Sequence, residues 1–173
     1  MYKVINCQYD KEPLINLFNK SKKAMNKMMW EAADFDENDP SVLHLFEKFN
    51  FISFFPNNIT IGAITKNINP YINPANNGLI IFPLKNVLEV SFYSYPGELV
   101  NGRPTLIPEW RDQTRLNEIK ATHTETIKIT QPTIINGLVA HSYQVANTNV
   151  LLCALKIPMY VTWDEVQMAT EGM

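Results

Sequence analysis

Cysteine is scarce in this sequence, charge is nearly balanced and long apolar runs are missing, and each shortage excludes something. Two cysteines, Cys7 near the start and Cys153 inside an apolar stretch, are too few for a disulfide framework. They read as buried thiols of a reducing compartment. With a formal net charge of -2 the chain has no basic face for nucleic acid or anionic lipid. The one basic cluster, Lys20, Lys22, Lys23 and Lys27, falls on the polar side of a helical pattern and reads as a solvated face. No apolar run approaches the ~20 residues that span a bilayer, and the opening MYKVINCQYDKEP lacks the basic-then-apolar order of a secretion signal. The expectation is a soluble intracellular protein, or one packaged into a particle assembled inside a cell.

What is present suffices for one core. The 173 residues, 46% hydrophobic and 18% charged, predict a single domain, 1–173. Leu14, Leu17, Phe18, Ser21, Met25, Met28, Met29 and Ala32 recur at helical spacing and predict a helix from about Lys11 to Ala33, capped by Asp10 with Pro13 in its first turn. Asp39-Pro40 opens a second helix running to about Phe49, with His44 as an ordinary helix residue. From Phe51 onward short runs of Ile, Val, Phe, Tyr and Thr are punctuated by Pro, Asn and Gly, which is strand composition. Strands are expected at Asn50–Phe55, Ile59–Thr65, Leu79–Pro83, Val87–Tyr95, Leu116–Thr122, Glu125–Thr130, Thr133–Ile135, His141–Val145 and Val150–Ile157. Isoleucines alternate with polar residues over Glu125–Thr130, as in a half-exposed strand, whereas Val150–Leu155 is apolar on both faces and reads as a central one. Pro96 to Arg115 reads as a long excursion, and Thr162 to Glu165 has capping-box spacing for a short final helix.

Two patches in the β half carry a family likeness. NGLIIFPLKN, Asn77 to Asn86, is similar to a strand of the small single-domain Fe(II)/2-oxoglutarate oxygenases, a family often encoded by phages and bacteria. QPTIINGLVAHSYQVANTNVLLCALKI, Gln131 to Ile157, resembles that family's segment built on P-x-x-I-N and H-S-V-x-N. With the strands between them the likeness covers roughly Phe51 to Ile157. It implies a mainly β fold of the α+β kind, a double-stranded β-helix (jelly-roll, cupin-like), over residues 51–161. Two N-terminal helices within 1–50 pack on it, and a short C-terminal helix follows in 162–173.

The chemistry implied by the resemblance is largely missing. Such enzymes hold Fe(II) with two histidines and one carboxylate, leave positions open for keto acid and oxygen, and clamp the far carboxylate of 2-oxoglutarate with a basic side chain. His141 matches the distal histidine and is the one metal-ligand position retained. The H-x-D should precede the Leu79 strand, where Tyr71-Ile72-Asn73 or Ala63-Ile64-Thr65 aligns, and neither holds a histidine or a carboxylate. No histidine lies between His44 and His123. The expected arginine falls near Asn149 or Val150, and no basic residue lies between His141 and Lys156.

Other constellations are weaker. His123-Thr124-Glu125 offers an H-x-E, yet period two turns both side chains to a polar face. No nucleophile elbow or phosphate-binding glycine loop is present, so no catalytic residue is assigned. Asp34, Asp36, Glu37 and Asp39 read as capping and solubilising groups of an interhelix linker, while Trp110-Arg111 in the excursion has the residue types that anchor protein interfaces. The expectation is a non-catalytic oxygenase-like scaffold without cofactor, a phage-encoded structural or binding protein of the host cytoplasm or the virion. Its partners would be other proteins or further copies of itself, not nucleic acid or membrane. One alternative is an active Fe(II)/2-oxoglutarate hydroxylase using His141 with His123 and Glu125. Another is a carbohydrate-binding jelly roll that stacks sugars on Tyr71, Tyr93, Tyr95 and Trp110.

Overall fold

The computed structural model describes residues 1–25, 30–36, 38–47, 49, 58–71, 77–94, 99–100, 103–104, 122–146 and 148–173. The chain is mainly antiparallel β with few helices. Thirteen strands occur among the described residues: β1 (Tyr2–Val4), β2 (Lys22–Met25), β3 (Trp30–Asp34), β4 (Ile59–Ile64), β5 (Ile68–Tyr71), β6 (Gly78–Lys85), β7 (Leu88–Ser94), β8 (Leu99–Val100), β9 (Arg103–Pro104), β10 (Thr122–Ile129), β11 (Thr133–Asn136), β12 (Ala140–Val145) and β13 (Val150–Ile157). The helices are α1 (Lys11–Lys20), α2 (Pro40–Glu47) and α3 (Trp163–Ala169).

A seven-stranded sheet runs β1-β11-β6-β13-β4-β3-β2, and a four-stranded sheet runs β10-β7-β12-β5. Alternation along the central strands explains the layering. Leu151, Cys153, Leu155 and Ile157 of β13, with Ile80, Phe82 and Leu84 of β6, join Leu14 and Phe18 of α1, Val42 and Leu45 of α2 and Val166 of α3 in one core. Val150, Leu152 and Ala154 of β13, with Leu79 and Ile81 of β6, face Leu88, Val90 and Phe92 of β7 and Tyr143 of β12 in another. The large sheet is therefore covered by helices on one face and by the small sheet on the other. This is why β13 is apolar on both faces, and it lies fourth of seven, as a central strand.

Local chemistry sets the element ends. Asp10 accepts from the Glu12 N–H at the start of α1, and Asp39 accepts from the Ser41 N–H at the start of α2. The capping box of α3 is complete, because Thr162 accepts from the Glu165 N–H while the Glu165 carboxylate takes the Thr162 N–H and hydroxyl. Those bonds hold the Glu165 pKa below the ordinary carboxylate value. Between β6 and β7, Asn86 adopts φ 64 and donates to the Asn149 carbonyl.

The long first helix is corrected. It stops at Lys20, and Ser21 turns extended while its N–H and hydroxyl both donate to the Leu17 carbonyl. Lys22–Met25 and Trp30–Asp34 form paired strands, so the part spanning 1–50 is not simply helical. The competing force is tertiary. Pairing of Trp30 with Ile64, Glu31 with Ala63 and Ala32 with Gly62 satisfies the β3 backbone and buries the Trp30 ring. Strands β1 and β5 were also not anticipated. The strand expected at Asn50–Phe55 lies outside the described residues, as does all but Thr122 of Leu116–Thr122. No helix among the described residues is long and apolar enough to cross a membrane.

Candidate functional site

Strand β12 lies between β7 and β5, and His141 is the Cα partner of Phe92 on one side and of Tyr71 on the other. Its side chain points between the two sheets and is only 1% exposed. Nδ1 is 2.7 Å from the Val139 carbonyl, and Nε2 is 3.3 Å from the Tyr143 hydroxyl. A carbonyl only accepts, so Nδ1 carries the proton and Nε2 receives the Tyr143 O–H. Burial lowers the His141 pKa to about 4, against the smaller opposing effect of the Val139 carbonyl. The ring is thus a neutral, internally bonded imidazole at physiological pH, 6.4 Å from the Phe92 ring and 5.4 Å from that of Tyr143.

The register bears on which segment can stand beside His141. Strand β5, with Tyr71, is adjacent to β12. Ala63 and Ile64 are on β4, in the other sheet, paired with β13. Of the two segments aligned with H-x-D in the sequence, Tyr71 thus lies beside His141 and Ala63 and Ile64 do not, while Ile72 and Asn73 lie outside the described residues.

The H-x-E is not a chelating pair, and the expectation that both side chains share a polar face is corrected. A register shift interrupts β10, where His123 pairs with Tyr93 but Glu125 pairs with Phe92. Thr124 is the extra residue of this bulge, and its hydroxyl donates to the Phe92 carbonyl. Glu125 therefore shares the inward row of Phe92 and His141, half-buried. His123 stays exposed on the outer face, edge-on to Tyr93 at 5.7 Å and bonded to the Thr126 hydroxyl at 2.9 Å. Thr126 continues to Ser91 at 2.7 Å, and Tyr93 bonds Ser142 at 3.1 Å, so the outer face carries a hydroxyl row.

Among the described residues no three His, Cys, Asp or Glu side chains gather into a metal-holding group. Among the described residues, those beside His141 do not make a ferrous-iron site, since the Nε2 lone pair is taken by Tyr143 and Tyr71 is neither an imidazole nor a carboxylate. Trp110, Arg111 and Tyr95 lie outside the described residues.

Sequence reasoning missed Tyr143 as the partner of His141, although period two puts residues 141 and 143 on one face of a strand. It also missed an open pocket of about 560 Å³ lined by Tyr160, Val161, Glu165, Met168 and Ala169. On the helix side, Tyr9 donates its hydroxyl to the Pro83 carbonyl. Burial, then the nearby thiols of Cys153 and Cys7, raises the Tyr9 pKa, and burial raises that of Cys153.

Compared with known proteins, the chain matches no family model, no curated protein and no solved structure.

Proposed function

We propose that this chain is a non-catalytic scaffold of the oxygenase-like double-stranded β-helix type, serving as a structural or binding protein. Strand order supports the fold. Counting β4, β5, β6, β7, β10, β11, β12 and β13 as first to eighth, the antiparallel pairs are first with eighth, second with seventh, third with sixth and fourth with fifth. That is one long hairpin. Additional pairing of eighth with third and seventh with fourth sets the hairpin's strands in two facing sheets, and this pairing order supports the proposed winding.

The observation that carries the functional reading is the state of His141. The one histidine aligned with a metal ligand is buried, neutral and bonded at both nitrogens, and its cross-strand neighbour is Tyr71. An iron ion there would have to displace the Tyr143 hydroxyl and would find no second imidazole or carboxylate at position 71. What the fold still offers is a rigid double sheet on which loops can be displayed, and fold does not prescribe activity. The likeness to small oxygenase-type proteins, many of them phage-encoded, extends the proposal to a phage protein of the host cytoplasm or the virion.

The deciding experiment is anaerobic titration with ferrous iron, followed by 2-oxoglutarate and oxygen. No stoichiometric iron uptake and no succinate formation are expected. Stoichiometric binding with keto-acid turnover would restore the enzyme reading.

A further inference from the structure

Packing dictates both members of the Asn77-Gly78 step. The Asn77 side-chain amide directs its two N–H bonds at the Met159 carbonyl, 3.0 Å away, and the Val161 carbonyl, 2.7 Å away, tying the start of β6 to the approach of α3. Residue 78 has to be glycine, because a Cβ there would collide with the Ile135 carbonyl oxygen of β11. The outcome is a chemically labile dipeptide. A glycine nitrogen carries no side chain to hinder its attack on the preceding asparagine, so Asn-Gly closes to a succinimide more readily than other asparagine steps. A second such step, Asn136-Gly137, stands directly across the ladder.

The two steps hold each other in place. Asn136 is the Cα partner of Gly78, and the Gly137 N–H donates to the Asn77 carbonyl at 2.9 Å. On the other side the Asn77 N–H donates to the Ile157 carbonyl of β13 at 3.0 Å. The Asn136 side-chain oxygen accepts from the Leu138 N–H, also at 3.0 Å. Asn77, Gly78 and Gly137 are buried. Ring closure needs the Asn77 side-chain carbon to swing onto the Gly78 nitrogen, and an amide tethered at both hydrogens cannot make that swing while β6, β11 and β13 stay together.

We propose that Asn77-Gly78 is a fold-gated modification site, inert in the closed sheet and converted to aspartate or isoaspartate once β6 parts from β11. In the opened chain the Gly78 nitrogen attacks the Asn77 side-chain carbon. The side-chain nitrogen leaves as ammonia, taking up the proton that the Gly78 nitrogen loses, and water then opens the succinimide. Either product lacks the amide donors of Asn77. An anion would then face the Met159 and Val161 carbonyls in a buried position, so the sheet cannot close again as before. Each chain that has opened is thereby marked irreversibly. The site follows from this corner of the large sheet alone and is independent of the scaffold reading.

The test is incubation of the full chain in heavy-oxygen water at mildly alkaline pH, with peptide mapping of label at residue 77. Conversion in the folded wild type is expected to be about a hundredfold or more slower than in the urea-unfolded chain, because it tracks the open fraction. Ile134→Ala weakens β11 without touching either Asn-Gly step and should speed conversion at residue 77 by about tenfold or more. Should that variant fail to fold, a series of urea concentrations below the unfolding transition of the wild type gives the same reading, with conversion rising as the sheet opens. Equal rates in folded and unfolded chains, or a rate indifferent to this loosening, overturns the gate. Asn77→Asp stands in for the product and should unfold at lower urea than the wild type or not fold at all, whereas a variant as stable as the wild type overturns the irreversible marking.

Discussion

Lys3 on the first strand donates to the Thr170 carbonyl at 2.8 Å and to the Thr170 hydroxyl at 3.0 Å, at the end of the last helix. An ammonium at the C-terminal end of a helix adds a donor to the last carbonyls, here those of Gln167 and Thr170, and faces the negative end of the helix dipole. Replacing Lys3 with Met keeps the aliphatic stem and removes only this charge. A loss of about 1 kcal/mol in urea unfolding is expected, with the α3 amides losing hydrogen-exchange protection before the sheet does.

The buried imidazole sets a pH dependence. His141 titrates near 4 in the folded protein and near 6.5 when unfolded, so between those values the unfolded chain takes up a proton that the fold refuses. Its contribution is complete above pH 6.5 and is lost as pH falls towards 4, by about 3 kcal/mol in all. His141→Gln should flatten this slope, and the stability gap between variant and wild type should narrow on acidification. A gap independent of pH would contradict a neutral buried ring.

Gly78 is held by close approach of backbone. A methyl group built there would meet the Ile135 carbonyl oxygen at 2.4 Å, whereas at Gly62 the nearest atom, the Glu31 carbonyl oxygen, is 3.1 Å away. Gly78→Ala should cost about 2 to 3 kcal/mol by forcing β6 and β11 apart, and Gly62→Ala clearly less. Parallel urea titrations of the two variants rank them directly.

Asn77 joins the end of β13 to the approach of α3. Its side-chain amide donates to the Met159 carbonyl at 3.0 Å and the Val161 carbonyl at 2.7 Å. Asn77→Ala leaves both acceptors without this donor and should cost about 2 kcal/mol. The loosening should be local, seen as faster amide exchange over 158–166 with the β6 core unchanged.

Parts of this architecture were legible because their cause is local. Thr162 and Glu165 stand three residues apart and cap α3 wherever the chain goes, and the two-sided apolar character of β13 follows from burial on both faces. Other parts depend on a partner far away in sequence. Ser21 to Ala32 fits a helical stripe in isolation, and only β4, offering Gly62 and Ile64, makes the strand the better solution for Trp30. Likewise Glu125 turns inward because β7 sets the register across Thr124, and no pattern within β10 announces a bulge. His141 was visible as a candidate ligand, but its neutral state depends on the enclosure around it and on the hydroxyl of Tyr143.

The long hairpin has a consequence for the order in which the chain can mature. Ile59 pairs with Leu155, roughly ninety or more residues later, and β1 waits for β11. Loop-closure entropy for such distant contacts must be met before their rewards arrive, so folding should be slow for the chain's size. On the ribosome, β4, β5 and β6 emerge with their apolar faces uncovered while the returning strands are still unsynthesised. The nascent chain is therefore most prone to aggregate just before β11 to β13 appear, and a chaperone that shields extended apolar segments over that interval should raise the yield of folded protein.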